Sequence, residues 1–115
     1  MQKTVLFAFQ GELLCFVHVL LNALDLKERG GEVEIVLEGM SPTLVAQLEL
    51  ESNAFHGLWL RARGEGLVAG ACKACSSKLG VLEEVRAAGV PLLDGMSGHP
   101  PVAAWMERGF TVLTF

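Results

Sequence analysis

Short apolar runs alternate with longer segments whose apolar residues recur every three or four positions, and glycine marks most of the junctions. Thr4 to Phe9, TVLFAF, is β-branched and aromatic and has the length of a strand. Gln10 and Gly11 then turn the chain into a long helix from Glu12 to about Arg29, which Gly30 and Gly31 stop. On that helix His18, Asn22, Asp25 and Arg29 fall on one solvent face, with Asp25 and Arg29 spaced for an ion pair. Leu13, Leu14, Phe16, Val17, Leu20, Leu21 and Leu24 make the remainder apolar nearly all round. A stripe that wide predicts burial against the core and against a second surface, such as another subunit. Cys15 lies inside the band and reads as structural.

Glu32 to Glu38, EVEIVLE, reads as the second strand, and Gly39 and Met40 turn the chain. Ser41 followed by Pro42 predicts an N-cap and a first helical position. The helix carries Leu44, Val45 and Leu48 and ends near Ser52 and Asn53. A second helix places Phe55, Leu58, Trp59 and Ala62 on one side, with Arg61 and Arg63 at its end and a solvated His56 near its start. Gly64 and Gly66 bracket the turn into Leu67–Ala71, an apolar run that suits a strand buried on both faces. Cys72 follows at the point where that strand gives way to a short helix reaching Gly80. Val81 to Ala88 is a further helix, Val90 to Leu93 a short strand, and Met96 to His99 a loop after the Asp94-Gly95 turn. The last helix starts at Pro101 or its neighbour, with Val102, Trp105 and Met106 inward, and Phe110 to Phe115 is the final strand. Five strands alternating with helices predict one α/β domain: a mostly parallel sheet with helices on both faces.

Composition adds a subunit contact to this picture. The chain has 115 residues, of which 51% are hydrophobic and only 19% charged, so some apolar surface is expected to lie outside the core of one copy. The formal charge of -4 argues against nucleic-acid binding, which favours a basic stripe. Three cysteines do not make a secreted disulfide framework. Lys3 precedes apolar residues, but no small-residue cleavage site follows, and Leu13–Val17 is far too short to span a membrane. The expectation is a soluble cytoplasmic protein.

The candidate chemistry sits at Cys72 and Cys75. Ligands and reactive groups of parallel sheets collect at the carboxyl ends of strands. A helix start there, with Lys73 and Lys78 close in sequence, is expected to favour the Cys72 thiolate, the nucleophilic form. Against this stands the reading of both cysteines as small buried hydrophobes. No GxGxxG, Walker A or GxSxG sequence is present, so no cofactor is expected. The CxxC spacing raises zinc, but a structural site needs four ligands, and Cys15, His18, His56 and His99 are scattered along the chain. No metal is expected.

The Cys72 segment, together with the two ends of the chain, resembles the DsrE/DsrF-like sulfur-relay family, whose members include subunits of a tRNA-thiolation relay. The resemblance rests on Cys72, Ala74, Gly80 and Val81 in the family's spacing. It also rests on the first strand and long helix ending at Gly30-Gly31, the strand closing on Glu38-Gly39, and the ending Gly109-Phe110-Thr111-Val112-Leu113-Thr114-Phe115. It implies a three-layer α/β/α domain with a five-stranded sheet, trimers or hexamers, and a cysteine that carries persulfide sulfur, here Cys72. A persulfide donor or sulfur-acceptor protein would be its partner. Two positions differ from the relay subunits: Lys78-Leu79 replaces a basic pair, and Cys75 stands where alanine is usual. A thiol there is either a bystander or a resolving group that attacks a Cys72 persulfide and releases sulfide, leaving a disulfide. The alternatives that remain are a thiol–disulfide redox module using Cys72 and Cys75, and a non-catalytic oligomeric subunit.

Overall fold

The computed structural model describes residues 2–115. The chain runs β1 (Lys3–Ala8), α1 (Leu13–Glu28), β2 (Glu32–Leu37), a 3-10 turn (Ser41–Leu44) that continues into α2 (Val45–Leu48), α3 (His56–Gly64), β3 (Val68–Cys72), α4 (Lys73–Lys78), α5 (Leu82–Ala87), β4 (Leu92–Leu93), α6 (Val102–Glu107) and β5 (Thr111–Thr114). The five strands pair in the order β4-β3-β2-β1-β5, every pair parallel. Parallel neighbours need crossovers, and the helices that supply them cover both faces of the sheet. The result is a three-layer α/β/α fold.

The two helical layers are unequal. Along β1, Leu6 and Ala8 pack with Phe16, Leu20, Ile35, Leu37, Trp59 and Val85 in the larger core, on the side of α1, α3 and α5. Val5 and Phe7, alternating with them, face the other way and pack with Val36, Trp105 and Phe110 under the single short helix α6. Phe7 meets Trp105 edge to face at 5.3 Å. The Trp105 indole N–H donates to Glu34 Oε1 (2.8 Å), while Arg108 pairs with Oε2 (2.6 Å), anchoring α6 to the middle strand.

Glycine closes α1 as its position requires. Gly30 takes a φ of +91°, and the N–H groups of Gly30 and Gly31 return to the carbonyls of Lys27 and Leu26. This is the Schellman arrangement, which a β-carbon would strain. The Asp25–Arg29 pair forms at 2.9 Å on the exposed face, and His18 lies on the same exposed side.

The pairing of β2 with β3 carries an irregularity that decides the site. Ile35 lies opposite Val68, but Val36 lies opposite Gly70, so Ala69 is the extra residue of a bulge. After the bulge Leu37 sits beside Ala71. The next residues, Glu38 and Cys72, therefore leave the sheet side by side. Without the extra residue, Glu38 would face Ala71 instead. Gly70 lets β4 close onto this stretch: a β-carbon there would stand 2.5 Å from the Pro91 carbonyl oxygen and 2.7 Å from Leu93 Cγ.

Several local expectations are corrected. Ser41 does not cap a helix; its buried hydroxyl bridges the carbonyls of Ala8 (2.7 Å) and Glu38 (3.0 Å), tying together the ends of β1 and β2. The helix expected up to Ser52 stops at Leu48. His56 is half-buried rather than solvated, its Nδ1 2.7 Å from the Leu48 carbonyl oxygen. Met106 points outward, and β4 shrinks to two residues beside Pro91, which has no N–H to give a ladder. Cys15 is exposed, not structural, and Leu14 and Leu21 on the same helix are 67% and 46% exposed. Among the described residues, no helix is long and apolar enough to cross a membrane.

Gly70→Ala should lower stability to urea by about 1–3 kcal/mol, the usual cost of overpacking, because its neighbours are backbone and a packed leucine. Gly64→Ala, with nothing near its added carbon, should stay within about 0.5 kcal/mol of the parent or exceed it. Equal effects at the two positions would contradict the close approach of β4.

Candidate functional site

Cys72 is the last residue of β3 and the N-cap of α4. Its Sγ accepts the backbone N–H of Cys75 at 3.4 Å, so the expected placement at a strand end and helix start holds. The buried Ser76 hydroxyl donates to the Cys72 carbonyl at 2.8 Å, fastening the first turn of α4 to the strand. Cys72 is fully buried, whereas Cys75, one helical turn on, is partly exposed. Glu38, delivered beside Cys72 by the bulge, is buried as well.

The fourth member comes from the segment after β4. Met96 and His99 exchange backbone hydrogen bonds, both 2.8 Å, across a two-residue turn. Ser97 and Gly98 in that turn have φ of 47° and 89°, the pair of left-handed residues that tight hairpins favour. The Gly98 carbonyl accepts the Ala74 N–H at 2.9 Å, docking the hairpin on the first turn of α4. A β-carbon on Gly98 would come within 2.9 Å of the Ala74 side chain, so this seat also requires glycine. Docked in this way, His99 places Nδ1 3.1 Å from Cys72 Sγ, 3.7 Å from Cys75 Sγ and 3.4 Å from Glu38 Oε1. The four side-chain atoms all lie within 4.8 Å of one another.

The two cysteines singled out in the sequence are thus brought together, but His99 was expected to be one of several scattered residues and is instead at the centre of the cluster. Glu38 carried no expectation beyond ending a strand. Its one sequence signal was an acid at the carboxyl end of a strand adjacent to the cysteine strand. Cys15, His18 and His56 lie outside the cluster. Lys73 and Lys78 are exposed, and the Lys73 amine stands 3.9 Å from Asp94.

The expected depression of the Cys72 pKa is overturned. Burial pushes the thiol up to about 12, opposed by the Cys75 N–H bond and reinforced by the Cys75 side chain and by the negative Glu38. At rest Cys72 is therefore a protonated thiol, with the Gly98 carbonyl oxygen at 3.6 Å and His99 Nδ1 at 3.1 Å as acceptors for its proton. Burial also holds the Glu38 carboxyl above its ordinary value, and the facing His99 pulls it part of the way back. No lysine or arginine among the described residues pairs with Glu38; its ion-pair partner is His99. The cluster is a set of two soft sulfurs, an imidazole and a carboxylate, with Cys72 and Glu38 buried and Cys75 and His99 partly exposed.

No family model matches the chain. It is 28% identical over 104 residues to an uncharacterized protein of Methanocaldococcus jannaschii, a match covering 90% of this chain and 83% of that one. A solved structure of a conserved protein of unknown function from Bacteroides thetaiotaomicron superposes with a TM-score of 0.73 over 99% of this chain and 95% of that one, at 21% identity. That likeness shows the fold.

Two outcomes follow from the burial and the charges. Iodoacetamide at about pH 8 should modify the exposed Cys15 first, Cys75 more slowly and Cys72 last, since attack requires an accessible thiolate; peptide mass spectrometry reads the order, and early loss of Cys72 would contradict it. Glu38→Gln removes a carboxylate whose charged form the fold disfavours. Its raised pKa means stability is lost as pH rises out of the carboxylate range, so the variant should melt higher than the parent near about pH 7.5, with the gain vanishing below about pH 4. A variant that melts lower at neutral pH would contradict this.

Proposed function

We propose that the chain is a sulfur-carrier subunit of the sulfurtransferase type, holding transferable sulfur as a persulfide on Cys72. What supports this is the 3.1 Å separation of Cys72 Sγ and His99 Nδ1 at the carboxyl end of β3, where the resemblance to the DsrE/DsrF-like sulfur-relay family puts its sulfur-carrying cysteine. A buried thiol with a raised pKa needs a base within reach, and His99 is that base. Transfer of the Cys72 proton to Nδ1 creates an imidazolium facing both the thiolate and Glu38, so the carboxylate stabilises the charge that appears.

The thiolate then attacks the outer sulfur of a donor persulfide, R–S–SH. The donor S–S bond breaks, Cys72-S–SH forms, and R–S⁻ leaves and takes up the proton held by His99. An acceptor thiolate attacking the same outer sulfur regenerates the Cys72 thiolate. Cys75 offers a second outlet: its thiolate attacks Cys72 Sγ, expels HS⁻ and leaves the Cys72–Cys75 disulfide. The partners on this reading are a persulfide donor and an acceptor thiol protein. A homo-oligomer in the cytoplasm is the setting we propose, in keeping with three free cysteines and with Leu14 and Leu21 left exposed on α1.

A second reading has one observation in its favour. The two sulfurs lie within 4.8 Å of each other, so a reversible Cys72–Cys75 redox couple without sulfur carriage is the competing function.

Reduced, metal-free protein treated with glutathione persulfide should gain one sulfur by intact-mass measurement, lose that capacity in Cys72→Ser, and retain the sulfur longer in Cys75→Ser. His99→Ala should load about 100-fold more slowly, the lower range of what a positioned base contributes. Loading of Cys72→Ser equal to the parent would overturn the assignment. Oxidation to the disulfide with no sulfur ever retained, in the parent or in Cys75→Ser, would favour the redox couple.

A further inference from the structure

From the convergence of Cys72, Cys75, His99 and Glu38 we infer that the site binds one zinc-class divalent metal ion in tetrahedral coordination. This inference stands on geometry alone and does not depend on persulfide carriage.

The donors come from three separate parts of the chain: the end of β2, the strand-to-helix corner of β3 and α4, and the hairpin after β4. Zinc holds sulfur at about 2.3 Å and imidazole nitrogen or carboxylate oxygen at about 2.0–2.2 Å, so the edges of a tetrahedron of such donors measure about 3.3–3.8 Å. The separations from His99 Nδ1 are 3.1 Å to Cys72 Sγ, 3.4 Å to Glu38 Oε1 and 3.7 Å to Cys75 Sγ. All six separations fall within 4.8 Å, so the donors reach the metal with shifts of a few tenths of an ångström to about one ångström. Two thiolates, one imidazole and one carboxylate suit a borderline-soft ion with no geometric preference of its own, and are poor for calcium or magnesium, which take oxygen shells.

Two features beyond the spacing point the same way. The Cys75 N–H already donates to Cys72 Sγ, a supporting contact that orients the sulfur and is retained when the sulfur becomes a ligand. Glu38 is a buried carboxylate to which no lysine or arginine among the described residues is paired. When His99 turns to the metal as a neutral ligand, the dication among the four donors supplies the positive charge facing this carboxylate. Binding converts both thiols to thiolates and releases their protons to solvent, so uptake strengthens as pH rises. With four protein ligands the metal has no vacant position, and a metal-held Cys72 is withheld from sulfur donors.

The test uses the full chain, reduced and stripped of metal with a chelator, and never exposed to persulfide. Titration with cobalt(II) should give the intense visible bands of tetrahedral cobalt and a thiolate-to-metal charge-transfer band, saturating at one ion per chain and displaced by zinc. His99→Ala should weaken zinc binding by more than about 100-fold, beyond the 10–100-fold typical of losing a supporting group, and Glu38→Gln should weaken it in the same direction. Cys15→Ser, outside the cluster, should bind as the parent does. Circular dichroism of each metal-free variant separates lost ligation from lost folding. Absence of the charge-transfer band in the parent, octahedral cobalt spectra, or binding that survives His99→Ala would overturn the inference. Persulfide loading of the metal-free chain is scored separately, so either proposal can fail while the other stands.

Discussion

The geometry of the site depends on how closely β4 lies against β3. At Gly70 the absence of a side chain lets the Pro91 carbonyl and Leu93 approach the strand backbone, and Ala71 donates its N–H to that same carbonyl at 2.8 Å. Because β4 is held there, the hairpin that follows it lands on α4, and the Gly98 carbonyl finds the Ala74 N–H. The bulge at Ala69 acts on the other side of β3, shifting register by one residue so that Glu38 emerges beside Cys72. Two backbone irregularities on one strand thus bring an acid from the left and a histidine from the right to a single sulfur.

What gathers there is a cluster whose members oppose one another electrostatically. Burial raises both Cys72 and Glu38, and Cys75 and Glu38 add to the rise at Cys72. His99, partly exposed, faces Glu38 at 3.4 Å, and no lysine or arginine among the described residues pairs with that carboxylate. Such a cluster is relieved by anything that brings positive charge or removes a thiolate. A proton and a metal ion are two forms of the same relief. The two proposals made here are alternative occupants of one site, and they exclude each other at Cys72.

The fold was largely legible in the chain because its signals are local. The apolar runs 4–9 and 32–38 and the glycine stops at Gly30, Gly89 and Gly109 mark five strands and their crossovers to within one or two residues at most boundaries. Cys72 at a strand-to-helix corner was legible for the same reason. His99 was not, because its role is set by where a two-residue turn docks, and nothing within Met96–His99 names Ala74 as its seat. Glu38 was hidden by the bulge: an alternating pattern reports which face a residue takes but not which neighbour it meets. The Cys72 pKa moves against expectation because Lys73 and Lys78, near in sequence, lie exposed, while burial of the sulfur dominates, with Cys75 and the sequence-distant Glu38 adding to the rise. Cys15, Leu14 and Leu21 show a further limit, since an apolar band on α1 marks what dislikes water without saying what covers it.

The claim most central to this account is that His99 and Cys72 act on each other directly. A double-mutant cycle on reduced, metal-free protein measures this, comparing the unfolding free energies of the parent, His99→Ala, Cys72→Ala and the double variant. Residues in contact show coupling of about 0.5–3 kcal/mol, and that is the result expected here. Effects that add to within about 0.3 kcal/mol, as they do for independent positions, would place His99 away from the sulfur and contradict the account.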